Sequence, residues 1–336
     1  MRRAFEAAWA AAWLLGLAAA AVAGAERPLH TYSIVARDAK TGDLGVAVQS
    51  HWFSVGSVVA WAEAGVGAVA TQSFVDPSYG PLGLDLLRCG KSAEQALRAL
   101  LAADDKADVR QVAMVDAAGG VAVHTGARCI AAAGHRRGAG YSVQANLMRR
   151  DTVWDAMARA FESAEGDLAE RLIAALEAAQ REGGDIRGQQ SAALLVVRAA
   201  PTGRVWEDRL VDLRVEDHAE PLVELRRLLR LQRAYQHMNA GDVAVEHGDM
   251  PLASREYGAA EALVPNHAEM LFWHGITVAG AGRLDEARPL LARAYGLDPS
   301  WRRLVERLPR AGLLDSTLVA PLVAIPAQAP AAERRR

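Results

Sequence analysis

Residues 30–50 read HTYSIVARDAKTGDLGVAVQS. Two short runs rich in β-branched and small apolar side chains, Thr31–Arg37 and Leu44–Ser50, flank the polar stretch Asp38-Ala39-Lys40-Thr41-Gly42-Asp43. This pattern predicts an antiparallel hairpin whose turn is eased by a glycine. The same texture recurs downstream. Val66–Ser73 reads as a third strand, and Val109–Asp116 with Gly120–His124 as a second hairpin around Ala117-Ala118-Gly119. Tyr141–Leu147 is a further strand, and Ser191–Arg198 with Val205–Val215 a late hairpin around Ala200-Pro201-Thr202-Gly203. Helical spacing of apolar residues marks Leu82–Ala102, Thr152–Ser163 and Leu168–Arg181, the last closed by Gly183-Gly184. Hairpins interleaved with helix pairs predict antiparallel sheets covered by helices, a layered α+β architecture rather than βαβ units. No G-x-G-x-x-G leads from a strand into a helix, which speaks against a dinucleotide site.

Composition sets the outer limits. The chain has 336 residues, 51% apolar and 23% charged, with a formal net charge of −2. That is a globular balance with no basic footprint for nucleic acid. The two cysteines, Cys89 and Cys129, are too few for a disulfide framework or a four-cysteine zinc site, and leave one bridge open. At the N-terminus, Arg2 and Arg3 precede an apolar run from Ala7 to Val22 and the small residues Ala21, Ala23 and Ala25. This predicts a signal peptide cut after Ala23 or, preferably, after Ala25, so that it spans residues 1–25 and leaves Glu26 first in a periplasmic or secreted protein. An uncleaved anchor helix is the alternative. No second stretch is long enough to span a bilayer, so the mature chain is not expected to be an integral membrane protein.

Beyond Pro221 the sequence reads as helix, and small or breaking residues recur 34 apart: Gly241 and Gly275, Gly248 and Gly282, Ala253 and Ala287, Ala260 and Ala294, Pro265 and Pro299. That period resembles tetratricopeptide repeats, pairs of antiparallel helices. Two repeats are fewer than the ~3 needed for independent stability, so flanking helices over Leu222–Tyr235 and Trp301–Leu308 are expected to support them. The expected division is 26–231 for the sheet domain, 232–315 for the repeats and 316–336 for a disordered tail rich in alanine and proline. A repeat surface of this kind suits a peptide or protein partner; dimerisation or simply covering the first domain are the alternative uses, and a homo-oligomer is left open.

Polar groups in the first domain gather at strand ends and glycine turns: His30-Thr31-Tyr32-Ser33, Gln49-Ser50-His51-Trp52, Thr71-Gln72-Ser73, Gln144-Ala145-Asn146 and Gly183-Gly184-Asp185-Ile186-Arg187. Hydroxyls, carboxamides and one Asp–Arg pair can activate a nucleophile and hold an oxyanion; they can equally satisfy strand-end backbone groups.

A resemblance sharpens this. HTYSIVARDAKTGDLG, VAVQSHWFSVG, GVGAVATQSF, PSYGPLGLDLL and GGDIRGQQSAALLV, followed by the helical PLVELRRLLRL, occur in the order found in the bacterial family called domain of unknown function 1028. That family is similar to N-terminal nucleophile hydrolases. The resemblance therefore implies a four-layer αββα sandwich of N-terminal nucleophile hydrolase type. In such enzymes the first residue of the mature chain attacks an amide carbonyl and its α-amine, with an ordinary pKa of about 7.7–8.0, acts as the base. The matching residue is Thr31, and the implied substrate is an amide-type bond in a small molecule or peptide, with no cofactor. Asn146 and Gln72 are candidate oxyanion donors, and Asp185 with Arg187 would orient the nucleophile or bind a substrate carboxylate. Ser33, on the strand face of Thr31, and Ser50 and His51 complete the expected site. Ser50 and His51 are adjacent and face opposite ways in a strand, so they form no dyad. No metal ligand set is expected.

One departure matters. Cleavage after Ala25 leaves Glu26-Arg27-Pro28-Leu29-His30 ahead of Thr31, whose nitrogen is then an amide. Either a second cut frees Thr31, or the site works differently, or the domain is a non-catalytic module that recruits a cell-envelope partner through its repeats.

Overall fold

The computed structural model describes residues 31–329. The expected signal peptide over residues 1–25, the Glu26–His30 segment and residues 330–336 lie outside that range. The chain divides into two compact units, the first ending at Leu225 and the second starting at Arg226.

In the first unit, β1 (Thr31–Arg37) and β2 (Leu44–Ser50) pair antiparallel, Thr31 opposite Ser50 and Arg37 opposite Leu44. The turn between them is built by Asp38, whose Oδ1 accepts from the N–H groups of Lys40 (2.8 Å) and Thr41 (2.9 Å), while Gly42 takes φ +80°. A helical turn, α1 (Gly56–Val59), leads into β3 (Ala60–Glu63) and β4 (Gly67–Ser73). Helices α2 (Tyr79–Arg88) and α3 (Ala93–Ala102) follow, then β5 (Arg110–Asp116), β6 (Val121–Thr125), β7 (Gly134–Gly138) and β8 (Tyr141–Ala145). Helices α4 (Val153–Ser163) and α5 (Leu168–Arg181), strand β9 (Ser191–Val197), a helical turn α6 (Val205–Asp208) and β10 (Arg209–Val215) complete the unit.

These strands form two antiparallel sheets, ordered β10-β9-β2-β1-β8-β7 and β3-β4-β5-β6. Helices α4 and α5 lie on the first sheet, α2 and α3 on the second, and the sheets face each other. Between them pack Val35, Val46, Val48, Ala68, Ala70, Ala113, Val115 and Leu195. Small residues dominate because two layers of pleated backbone meet there. A strand covered on both sides has no exposed face, which is why β1, β2, β4, β5 and β9 are buried almost throughout. At Gly45 the fit is close: a Cβ there would stand 2.7 Å from Leu172 Cδ1 on α5.

Several expectations are corrected. The predicted single helix over Leu82–Ala102 is two helices, because Gly90 (φ +80°) ends α2 and Ser92 caps α3 with Gln95 in a reciprocal capping box. The strand expected from Val205 begins at Arg209, after a helical turn that leaves Trp206 77% exposed. Strands β3 and β7 were not legible: β3 has four residues, and β7, Gly-His-Arg-Arg-Gly, is a polar edge strand. Both cysteines are free thiols; Cys129 is half-buried, and burial pushes its thiol pKa up.

The second unit is helical. Helix α7 (Pro221–Glu246) enters it, followed by α8 (Met250–Leu263), α9 (Ala268–Gly280), α10 (Leu284–Leu297) and α11 (Ser300–Val305). The 34-residue repeat is structural. A Cβ on Gly241 would meet Tyr257 at 2.6 Å and one on Gly275 would meet Leu291 at 2.7 Å, two equivalent close approaches of paired helices. Gly248 and Gly282, at φ +73° and +79°, end the first helix of each pair. The stretch expected to be disordered from 316 is instead ordered through 329: α12 (Val319–Val323) forms, and Leu322 and Ile325 are buried in the unit's core. Alanine and proline dilute these apolar residues in the composition without removing them. Among the described residues no helix is long and apolar enough to cross a membrane.

Candidate functional site

Thr31 opens β1, the strand flanked by β2 and β8 near the middle of the larger sheet. Alternation puts Thr31, Ser33 and Val35 on the face toward the second sheet, and Tyr32 and Ile34 on the face toward the helices. The contacts agree. Tyr32 OH donates to Gln180 Oε1 on α5 (2.9 Å), and Thr31 Oγ1 donates to Ser50 Oγ (3.1 Å) across the hairpin. Burial and the nearby Asp185 charge raise the Tyr32 phenol pKa well above its ordinary value.

Below Thr31 the space between the sheets holds a buried polar cluster. Thr31, Ser33, Ser50, Gln72, Gln111, Gln144 and Asn146 are all 0% exposed. The Thr31 carbonyl accepts from the Asn146 backbone N–H (3.1 Å), from Gln72 Nε2 (3.2 Å) and from Asn146 Nδ2 (3.5 Å). Both carboxamide nitrogens also donate to Gln111 Oε1, at 2.7 and 2.8 Å. Ser33 Oγ donates to Gln72 Oε1 (2.6 Å) and accepts from Gln144 Nε2 (2.6 Å), whose Oε1 in turn accepts from Ser142 Oγ (3.0 Å). In a low-dielectric interior such groups must be paired, and these are.

A second group adjoins the first at the end of β2. Asp185 follows the Gly183-Gly184 turn, where both glycines have positive φ, and bridges to Met148. Its Oδ1 accepts from Arg187 N (2.9 Å) and Nε (3.0 Å), and its Oδ2 from Arg187 Nη2 (2.7 Å) and His51 N (3.4 Å). The Asp185 side chain is fully buried and that of Arg187 28% exposed. The carboxylate thus ties the loop to the strand that carries Ser50, whose carbonyl also accepts from Gln190 N (3.1 Å).

Of the expected site residues, Thr31, Ser33, Ser50, Gln72 and Asn146 share one hydrogen-bonded cluster, and Asp185, Arg187 and His51 share the next. His51 joins through its backbone N–H, with the residue itself exposed. Gln72 and Asn146 direct their nitrogens at the Thr31 carbonyl and at Gln111. Gln111 is the residue that sequence reasoning missed. Its signal was present: in RQVAMVD, Gln111 shares a face with Ala113 and Val115, where the core is otherwise small and apolar. Among the described residues, no group of three or more His, Cys, Asp or Glu side chains could hold a metal ion.

Comparison with known proteins agrees with this description. No curated protein matches the chain. The crystal structure of protein SPO2555 from Silicibacter pomeroyi, assigned to DUF1028, is 30% identical with a TM-score of 0.54, covering 64% of this chain and 92% of that one. The model of the family of unknown function DUF1028 matches residues 31–225, beginning at the threonine that opens β1. That match takes in both sheets, their covering helices and the buried polar cluster, and the chain belongs to the DUF1028 family.

Proposed function

We propose that the first unit is an αββα sandwich of N-terminal nucleophile hydrolase type, and that the exported chain hydrolyses an amide-type bond in a small molecule or peptide. The observation that carries this reading is the placement of Thr31. It begins a central strand, its hydroxyl lies between the sheets against Ser50, and its carbonyl is held by three donors. The order of layers, helices on sheet on sheet on helices, supports it further.

In this mechanism the peptide bond before Thr31 is cut, releasing an α-amine beside Oγ1. The amine takes the hydroxyl proton as Oγ1 bonds to the substrate carbonyl carbon, and the carbonyl oxygen becomes the oxyanion. As that tetrahedral centre collapses, the carbon–nitrogen bond breaks and the proton passes to the leaving amine. Water then attacks the ester on Thr31, regenerating the hydroxyl and releasing the acid. Gln72 and Asn146 fix Thr31 through its carbonyl, Asp185 fixes Arg187 and the His51 end of β2, and Arg187 offers its partly exposed guanidinium to a substrate carboxylate.

The test is labelling of the exported, processed protein with an electrophilic β-lactone. Adduct mass on a peptide beginning at Thr31, lost in Thr31→Val, is expected; no adduct on a chain that begins at Thr31 would refute the reading.

A second reading is favoured by a specific feature of the second unit. A cavity of about 600 Å³, lined by Asp242, Tyr257, Trp273, Ile276, Thr277 and Leu313 among others, opens between its helices. We infer that the tetratricopeptide-like repeats seat a peptide or protein partner there, a role the unit keeps whether or not Thr31 is catalytic. Loss of partner capture in Trp273→Ala, with the fold intact, would support it; unchanged capture would contradict it.

A further inference from the structure

Gln111 bridges the two sheets through both ends of one carboxamide. It stands on β5, and its Nε2 lies 2.9 Å from Thr125 Oγ1 on β6, 3.2 Å from the Gly134 carbonyl on β7 and 3.0 Å from the Ala145 carbonyl on β8. Its Oε1 faces Gln72 Nε2 on β4 and Asn146 Nδ2 just beyond β8. The nitrogen end therefore meets acceptors and the oxygen end meets two donors.

Carboxamides can be turned end for end at little steric cost, so surroundings decide their orientation. For Gln111 the decision is one-sided. Turned over, its oxygen would face two carbonyl oxygens and its NH₂ would face two other NH₂ groups. Once Gln111 Oε1 is fixed, the nitrogens of Gln72 and Asn146 must point toward it. Each of those nitrogens has a second hydrogen, and the Thr31 carbonyl accepts from both nitrogens. The oxygen of Gln72 is then left for the Ser33 hydroxyl, which sets Ser33 as acceptor for Gln144. The Gln144 carbonyl also accepts from Gln72 Nε2, at 3.4 Å, so Gln111 Oε1, the shortest of these contacts, sets the direction of the cluster together with the Thr31 and Gln144 carbonyls.

We propose that Gln111 is a positioning residue of the Thr31 site: it orients the Gln72 and Asn146 carboxamides so that both donate to the Thr31 carbonyl and hold the start of β1 in place. The functional meaning of this rests on Thr31 as the nucleophile, but the orientation itself does not, and it can be measured without any reaction.

The experiment is hydrogen exchange of the Gln72 and Asn146 side-chain NH₂ groups, read by ¹⁵N NMR in the full chain. Wild type is compared with Gln111→Met, which removes donor and acceptor, and with Gln111→Glu. Protonated, the form burial favours, glutamate keeps an acceptor for Gln72 and Asn146 and turns an O–H toward the Gly134 and Ala145 carbonyls. Gln111→Met should speed exchange of both NH₂ groups by about tenfold, the worth of one lost hydrogen bond. Gln111→Glu should keep both within about threefold of wild type, inside the variation of a single bond. Main-chain amides of Val112 and Met114 report any general loosening, and the side-chain effect is measured relative to them. A Gln111→Met protein whose NH₂ exchange rises only as much as those main-chain amides would overturn the proposal. If Gln111→Met does not fold, Gln111→Glu decides alone: retained protection supports the proposal, and tenfold faster exchange of both groups defeats it. Absence of labelling at Thr31 with this exchange pattern intact would instead count against the nucleophile and leave the positioning role standing.

Discussion

Asp185 shows how one side chain joins two parts of the site. Buried with four donors from Arg187 and His51, it is tolerable only as long as those donors stay. Asp185→Ala leaves a partly exposed guanidinium and a strand-end N–H without their acceptor, and should cost about 1–3 kcal/mol by urea denaturation. Arg128→Ala, in an ion pair whose side chains are 74% and 45% exposed, should cost under about 1 kcal/mol. Equal effects of the two would contradict the buried clamp. The glycine turn and the Asp-x-Arg spacing made this pair legible in the sequence, as did the strand ends that carry Thr31, Ser50, Gln72 and Asn146. For Gln111 the local signal is only a polar residue on the face of Ala113 and Val115; its importance lies in what four other strands bring to it, which no local pattern carries.

The β1–β2 hairpin was readable to its exact ends for a local reason: Asp38 and Gly42 write the turn into the chain itself. The same carboxylate reaches beyond the hairpin, since Asp38 Oδ2 accepts from Arg171 Nη1 of α5 at 3.2 Å, and the Arg171 guanidinium lies 4.3 Å from the centre of the Phe161 ring. Burial works to raise the Asp38 pKa, but the Thr41 and Lys40 amides and the Arg171 charge outweigh it and hold the carboxyl below its ordinary value. A lowered folded-state pKa means stabilisation present above the unfolded value of about 3.9 and lost as pH falls through the folded one. Asp38→Asn should therefore cost about 1 kcal/mol at pH 7 and progressively less below about pH 4. Urea midpoints at both ends of that window check it; a deficit that does not change with pH would contradict the electrostatic origin. Where elements depend on partners from afar, sequence patterning failed. The polar edge strand β7 exists because β8 offers it a ladder, and periodicity ran straight through the Gly90–Ser92 break between α2 and α3.

At the scale of the whole chain, the two units are stabilised differently. The first buries small residues between two sheets; the second relies on a 34-residue repeat of close helix pairs, closed by the segment after α11. That closing segment was expected to be disordered from composition, yet Leu322 is 1% exposed and Ile325 3%. Leu322→Ala should lower the stability of the second unit by about 2–5 kcal/mol, seen as a shifted denaturant midpoint; no shift would return the segment to a dispensable tail.

The proposed chemistry itself turns on where the mature chain begins. Intact-mass and N-terminal sequencing of the protein recovered from its native cell measures this directly. The hydrolase reading predicts a chain whose first residue is Thr31, with a free α-amine beside its hydroxyl. A mature chain that begins at Gly24 or Glu26, with the peptide before Thr31 intact, would contradict it.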